Sequence, residues 1–139
     1  MKTKLFIDTN VMLDLLGERM PFYNSIAKIA TLADKGQIKM VVSALSYATV
    51  SYFLTKFENK EKAKDKLRKF KIISEICDLN EVIIEKGLNS NFIDFEDSLQ
   101  YFSALYSDCS ILITRNTKDF KESQIPIITP DEYLSGIRK

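Results

Sequence analysis

A chain of 139 residues, 45% hydrophobic and 28% charged, has the size and mix of one globular domain over residues 1–139, with a core that needs no staples. A net charge of +1 makes no case for nucleic acid, and the absence of histidine excludes Ser-His-Asp and Cys-His catalysis and histidine-held zinc. Any acid–base or metal chemistry must rest on carboxylates, which suit Mg²⁺ or Mn²⁺. No apolar run reaches the ~20 residues of a membrane span, the N-terminus lacks a long apolar signal segment, and Cys77 and Cys109 are too few for a disulfide framework. The expectation is a cytoplasmic protein with no membrane contact.

In chain order, Lys4 to Ile7 reads as a buried strand, followed by a helix from about Asn10 to Leu16 with Val11, Met12, Leu15 and Leu16 as its apolar set. Phe22, Ile26, Ile29, Ala30 and Ala33 recur at helical spacing, and Gly36 stands where a helix C-terminal glycine belongs. Met40 to Val42 is a second strand, with Ser43 as N-cap of a helix through Leu45, Ala48, Tyr52 and Phe53; Tyr47, Tyr52 and Phe53 are expected in the core. Lys56 to Lys71 holds eight basic and three acidic residues on a thin apolar stripe, the pattern of an amphipathic helix with a solvated face. Ile76 to Leu79 is a candidate strand, Asn80 a cap for the helix after it, and Asp94 the start of another helix carrying Leu99, Phe102 and Leu105. Ser110 to Ile113 is a strand ending in Thr114. Pro126 to Ile128 is the last strand, and Thr129-Pro130-Asp131-Glu132 opens the final helix. Strands and helices alternate, and the strands are short and continuously apolar. That predicts an α/β fold with a central parallel sheet covered on both faces.

In such sheets, ligands bind beyond the carboxyl ends of the strands. Asp8 follows the first strand directly, Thr114-Arg115-Asn116-Thr117-Lys118-Asp119 follows the "SILI" strand, and Asp94 and Asp97 share one face of a helix's first turn. Two carboxylates about 5 Å apart repel by ~3 kcal/mol at an effective dielectric of 20, so such a gathering needs a cation, a raised pKa or a task. A divalent metal is the simplest compensation, and metal-assisted phosphodiester hydrolysis is the chemistry that follows. Singly, each acid also has a plainer explanation. Asp8 suits a turn or N-cap, and Asp94 with Asp97, or Asn116 with Asp119, suits a helix-capping pair. Only their common destination favours a site.

The chain resembles the PIN domain family, and within it the small single-domain toxins of the VapC type. The resemblance covers nearly the whole length and rests on "FIDTNVMLDLL", "VVSALSYATVSYFL", "DFEDSLQYFSA", "ILITRNTKDF" and the closing "IPIITPDEYL", in that order. It implies a three-layer α/β/α sandwich and a Mg²⁺- or Mn²⁺-dependent endoribonuclease acting on RNA, with an antitoxin protein as partner and a homodimer as the expected assembly. It also implies that Asp8, Asp97 and Asp119 are the metal-binding catalytic acids, with Asn116 the alternative to Asp119. Thr9, Asn10, Thr114 and Asn116 would be polar supports, and Asp94 or Glu96 further donors beside Asp97. One departure stands out: the family's second acid falls at Thr49, which is neutral. The competing expectation is therefore a catalytically weakened PIN-like domain that binds RNA or a protein.

Overall fold

Short, continuously apolar strands leave no face fit for water, and both faces of this sheet are buried. The computed structural model describes residues 2–137. The elements are β1 (Lys4–Ile7), α1 (Thr9–Leu16), α2 (Tyr23–Asp34), β2 (Lys39–Ser43), α3 (Ala44–Phe57), α4 (Lys60–Ile72), β3 (Ser74–Cys77), α5 (Glu81–Leu88), α6 (Phe95–Tyr106), β4 (Ile111–Ile113), a 3-10 turn (Thr117–Phe120), β5 (Ile127–Ile128) and α7 (Pro130–Ile137). The strands make one parallel sheet in the order β3-β2-β1-β4-β5. In register, Phe6 lies beside Val41 and Leu112, and Ile7 beside Ile113.

Side-chain alternation divides the core into two layers. Leu5, Ile7, Met40, Val42 and Ile113 face a cluster built with Val11 and Met12 of α1, Ile26 and Ile29 of α2, Val50 and Leu54 of α3, Phe70 of α4 and Leu134 of α7. Phe6, Val41 and Leu112 face the opposite cluster, with Ile83 of α5, Leu99, Tyr101 and Ala104 of α6, and Phe120. This is the expected α/β/α sandwich. Each fully buried aliphatic side chain contributes about 1.5–3 kcal/mol relative to an exposed one.

The caps fall where the sequence places them. Ser43, Asn80 and Asp94 accept from the amides of Leu45, Ile83 and Asp97, and Thr129 and Glu132 bond each other's amides in a capping box. Gly36, with φ +75°, closes the end of α2 in the conformation that favours glycine.

Three expectations change. The basic stretch is two helices, because Asn59 accepts from the amide of Lys62 and starts α4 afresh. Its lysines face solvent, apart from Lys66, which reaches the Leu16 carbonyl at 2.8 Å and Glu58 at 3.0 Å. The third strand spans Ser74–Cys77 rather than 76–79, since its pairing with β2 runs from Met40↔Ser74 to Ser43↔Cys77. As an edge strand it tolerates polar Ser74 and Glu75, which hid it from an apolar-run criterion. Tyr52 is 62% exposed and outside the core, whereas Tyr47 and Phe53 pack against it. No described helix is long and apolar enough to cross a membrane.

Candidate functional site

The strand order places the topological switch point between β1 and β4, where successive connections leave in opposite directions and a crevice opens at the carboxyl edge. Asp8 and Thr114, the residues immediately after these two strands, meet there. The Asp8 amide donates to the Ile113 carbonyl (3.0 Å), and the Thr114 hydroxyl donates to Asp8 Oδ2 at 2.8 Å. The other carboxylate oxygen accepts from the Thr9 amide at 2.8 Å, so Asp8 also caps α1. Burial pushes the Asp8 pKa above the ordinary carboxylate value; the Thr114 and Thr9 hydrogen bonds oppose it, and Glu96 and Asp119 raise it further.

Asp97 sits on the first turn of α6, half-buried, its amide donating to Asp94 Oδ1 (3.1 Å). Its pKa is pushed up to about 7, first by burial, then by Asp94, Asp8, Asp119 and Glu96. Asp119, in the 3-10 turn, is exposed, as are Asp94, Asn10 and Asn116. The Asn116 amide donates to the Thr114 hydroxyl (3.2 Å), and its side chain makes no capping bond. The capping roles foreseen for Asp8 and Asp94 are therefore real, and they coexist with the convergence. Asp94, Asp97 and Asp119 line an open cleft of about 680 Å³ together with Phe92, Tyr101 and Lys118. Asp8 does not line it; its carboxylate is buried at the adjoining strand end. None of these five acids, Glu96 included, has a basic partner among the described residues. No three acidic or cysteine side chains among the described residues converge tightly enough to hold a metal ion as they stand.

Two features escaped the sequence. Thr9 Oγ1 and Ser46 Oγ are hydrogen-bonded at 2.7 Å, and Gln100 Nε2 donates to Ser46 Oγ at 3.4 Å, tying α1, α3 and α6 together. The buried Gln100 Oε1 has no hydrogen-bond partner among the described residues. Thr49, one turn along α3 from Ser46, is half-buried. The residues of this chain lie far apart in sequence, so no local pattern could announce it. Asp14, in contrast, left a signal. It occupies the apolar face of α1 three residues after Val11, is 1% exposed, and is flanked by Arg19 (Nε–Oδ1 2.9 Å) and Arg115 (Nε–Oδ2 2.8 Å). Burial raises its pKa, and Arg115 and then Arg19 pull it back.

The PIN domain family profile matches residues 4–118 of the chain. A relative, ribonuclease VapC1 of Aquifex aeolicus (strain VF5), is 28% identical over 135 residues, covering 94% of this chain and 92% of that protein. Among solved structures, a chain of VapBC2 from Rickettsia felis bound to a promoter DNA fragment superposes with a TM-score of 0.67 at 21% identity, over 91% of this chain and 97% of that one. VapC20 of Mycobacterium tuberculosis, a toxin that cleaves the sarcin–ricin loop, gives 0.61 at 10% identity, over 78% and 86%. At these identities the two structures show a shared fold.

Proposed function

The chain belongs to the PIN domain family, and from that premise we propose that it is a metal-dependent endoribonuclease that hydrolyses RNA phosphodiester bonds, the toxin of a toxin–antitoxin pair. The observation that carries this reading is that Asp8, Asp97 and Asp119, drawn from three separate segments to the carboxyl edge of the sheet, lie near enough that Asp8 and Asp119 add to the burial raising the Asp97 pKa, and none has a salt-bridge partner among the described residues. The likeness to a protein named ribonuclease VapC1 and to chains from toxin–antitoxin complexes supports the activity, the RNA substrate and the antitoxin partner. The donor set fits a hard divalent ion: every candidate ligand is an oxygen, and Asp97, raised first by burial and then by four neighbouring acids, would be relieved by a cation at that place. A bound Mg²⁺ or Mn²⁺ would polarise the scissile phosphate and lower the pKa of a coordinated water.

Each residue has a distinct part. Asp8 is the fixed donor, since Thr9 and Thr114 engage one oxygen each and hold the carboxylate plane. Asp97 is the adjustable one: near pH 7 it is shared between its acid and carboxylate forms, so it can hold a proton at its carboxyl oxygen until positive charge arrives. Asp119 completes the oxygen set from the loop after β4, Asp94 lines the same cleft, and Asn10 and Asn116 are exposed polar residues of the two strand-end segments. The cleft offers Phe92 and Tyr101 as aromatic surface beside Lys118, which suits a single RNA strand. The test is RNA cleavage with Mn²⁺ by wild type, Asp8→Asn and Asp97→Asn; full cleavage by either variant sinks the assignment.

Thr49 favours a second reading, in which the acid site no longer cuts and the domain holds RNA or a protein. RNA binding that survives chelation, with no cleavage under any divalent metal, would establish it in place of the first.

A further inference from the structure

Asp14 lies outside the acid cleft, yet it is linked to both segments that build the Asp8 cradle, to one directly and to the other through Arg19. Arg19, just beyond α1, donates from Nε to Asp14 Oδ1 and from Nη2 to the Asn10 carbonyl at 3.3 Å. One arm of the carboxylate thus reaches the Asp8-Thr9-Asn10 segment. The other oxygen lies 2.8 Å from Arg115 Nε, an ion pair whose N–H is not aligned as a hydrogen bond, and Arg115 is the residue between Thr114, whose hydroxyl holds Asp8, and Asn116, whose amide bonds Thr114. The Arg115 guanidinium is further fixed over the Phe22 ring, 4.0 Å from its centroid. We propose that Asp14 is a positioning residue that clamps the two sides of the Asp8 carboxylate through Arg19 and Arg115, and so sets the aim of the 114–119 loop; the inference rests on the acid-site function above.

A buried ion pair is weak evidence for stability, because apolar residues of similar volume can replace it without loss. What an apolar replacement cannot reproduce is direction. Arg19 divides its planar fork between two partners, Asp14 and the Asn10 carbonyl, and the Arg115 plane is held between the Asp14 charge and the Phe22 ring, orientations that a point charge such as lysine does not supply. A carboxylate shared by two guanidiniums from opposite sides of one site orients both. Outer supports of this kind change metal affinity by roughly 10–100-fold when removed.

The experiment compares wild type, Asp14→Asn and the double variant Asp14→Leu/Arg115→Met. Three quantities are read: amide hydrogen exchange of residues 114–119, Mn²⁺ affinity by calorimetry, and the melting temperature. The clamp predicts that both variants exchange the 114–119 amides at least about tenfold faster and bind Mn²⁺ roughly 10–100-fold more weakly. It also predicts that the double variant, repacked with apolar side chains, regains most of the lost melting temperature. Unchanged loop exchange in Asp14→Asn overturns it. So does a double variant that recovers wild-type loop exchange and Mn²⁺ affinity along with its melting temperature, which would make the cluster a packing feature only. If wild type itself binds no Mn²⁺, the metal reading falls while the exchange data still decide the clamp: faster exchange supports it, and unchanged exchange overturns it.

Discussion

Two groups of carboxylates stand at one end of this molecule, and they are treated oppositely. Asp14 is 1% exposed and has two guanidiniums against it, one at each oxygen. Asp8 is 6% exposed and has only neutral donors among the described residues, while the neighbours that shift Asp97 beyond its burial are all acids. A carboxylate supplied with its own cations is finished and acts as scaffold. Carboxylates left to repel one another relieve the repulsion by holding a proton, as the raised Asp97 does, or, on the proposed reading, by taking a cation from outside.

The strongest way to break this contrast is at the chemistry. Asp8→Asn is expected to lower single-turnover RNA cleavage by roughly 10²–10⁴-fold with little change in melting temperature; a similar loss of cleavage through unfolding alone would erase the distinction. Asp14→Ala should act first on stability, lowering it by about 3–5 kcal/mol in denaturant titrations because it strands two charges in partly buried surroundings, and on cleavage only indirectly, through the loosened 114–119 loop. Asp97→Asn should slightly raise the stability of the metal-free protein, since it removes repulsion rather than a partner.

The Asp97 carboxyl also gives the contrast a pH signature. Its pKa of about 7 in the folded protein exceeds the 3.8 of an unperturbed aspartate, so the folded state binds the extra proton between those values. The metal-free protein should therefore lose stability as pH rises from about 4 through about 7, and Mn²⁺ affinity should rise over the upper part of that window. Melting curves with chelator and with Mn²⁺ across pH 4–8 check both; a flat metal-free profile would count against the repulsive cluster.

Smaller effects sharpen the picture. Thr114→Val leaves Asp8 Oδ2 short of its hydroxyl donor, which should cost about 1–3 kcal/mol and weaken metal binding without abolishing it. Thr49→Glu places an acid where the resemblance to the family implies one. It should tighten Mn²⁺ several-fold and slightly destabilise the metal-free protein, readable by calorimetry and melting. No change in either would place position 49 outside the reach of the site.

How much of this was written in the linear chain differs by element. β1, β2 and β4 were legible because buried parallel strands are apolar on both faces, whereas β3 was misplaced because an edge strand need not be. The acids were legible as strand-end and helix-start residues, and their capping bonds are the ones such positions ordinarily make. The Thr9–Ser46–Gln100 chain was not legible, since a hydrogen bond between residues 37 or 54 positions apart leaves no periodic trace.

By itself, then, the sequence determined the alternation of strands and helices, the caps, the lack of any histidine and the carboxylate-based chemistry that this composition favours. These are local or compositional properties, governed by backbone preference and side-chain type. The strand order that opens a crevice between β1 and β4, the neighbours that drive Asp97 upward, and the two arginines that meet Asp14 were decided only in three dimensions. Electrostatic interaction depends on distance and burial, and neither can be read from a position along the chain.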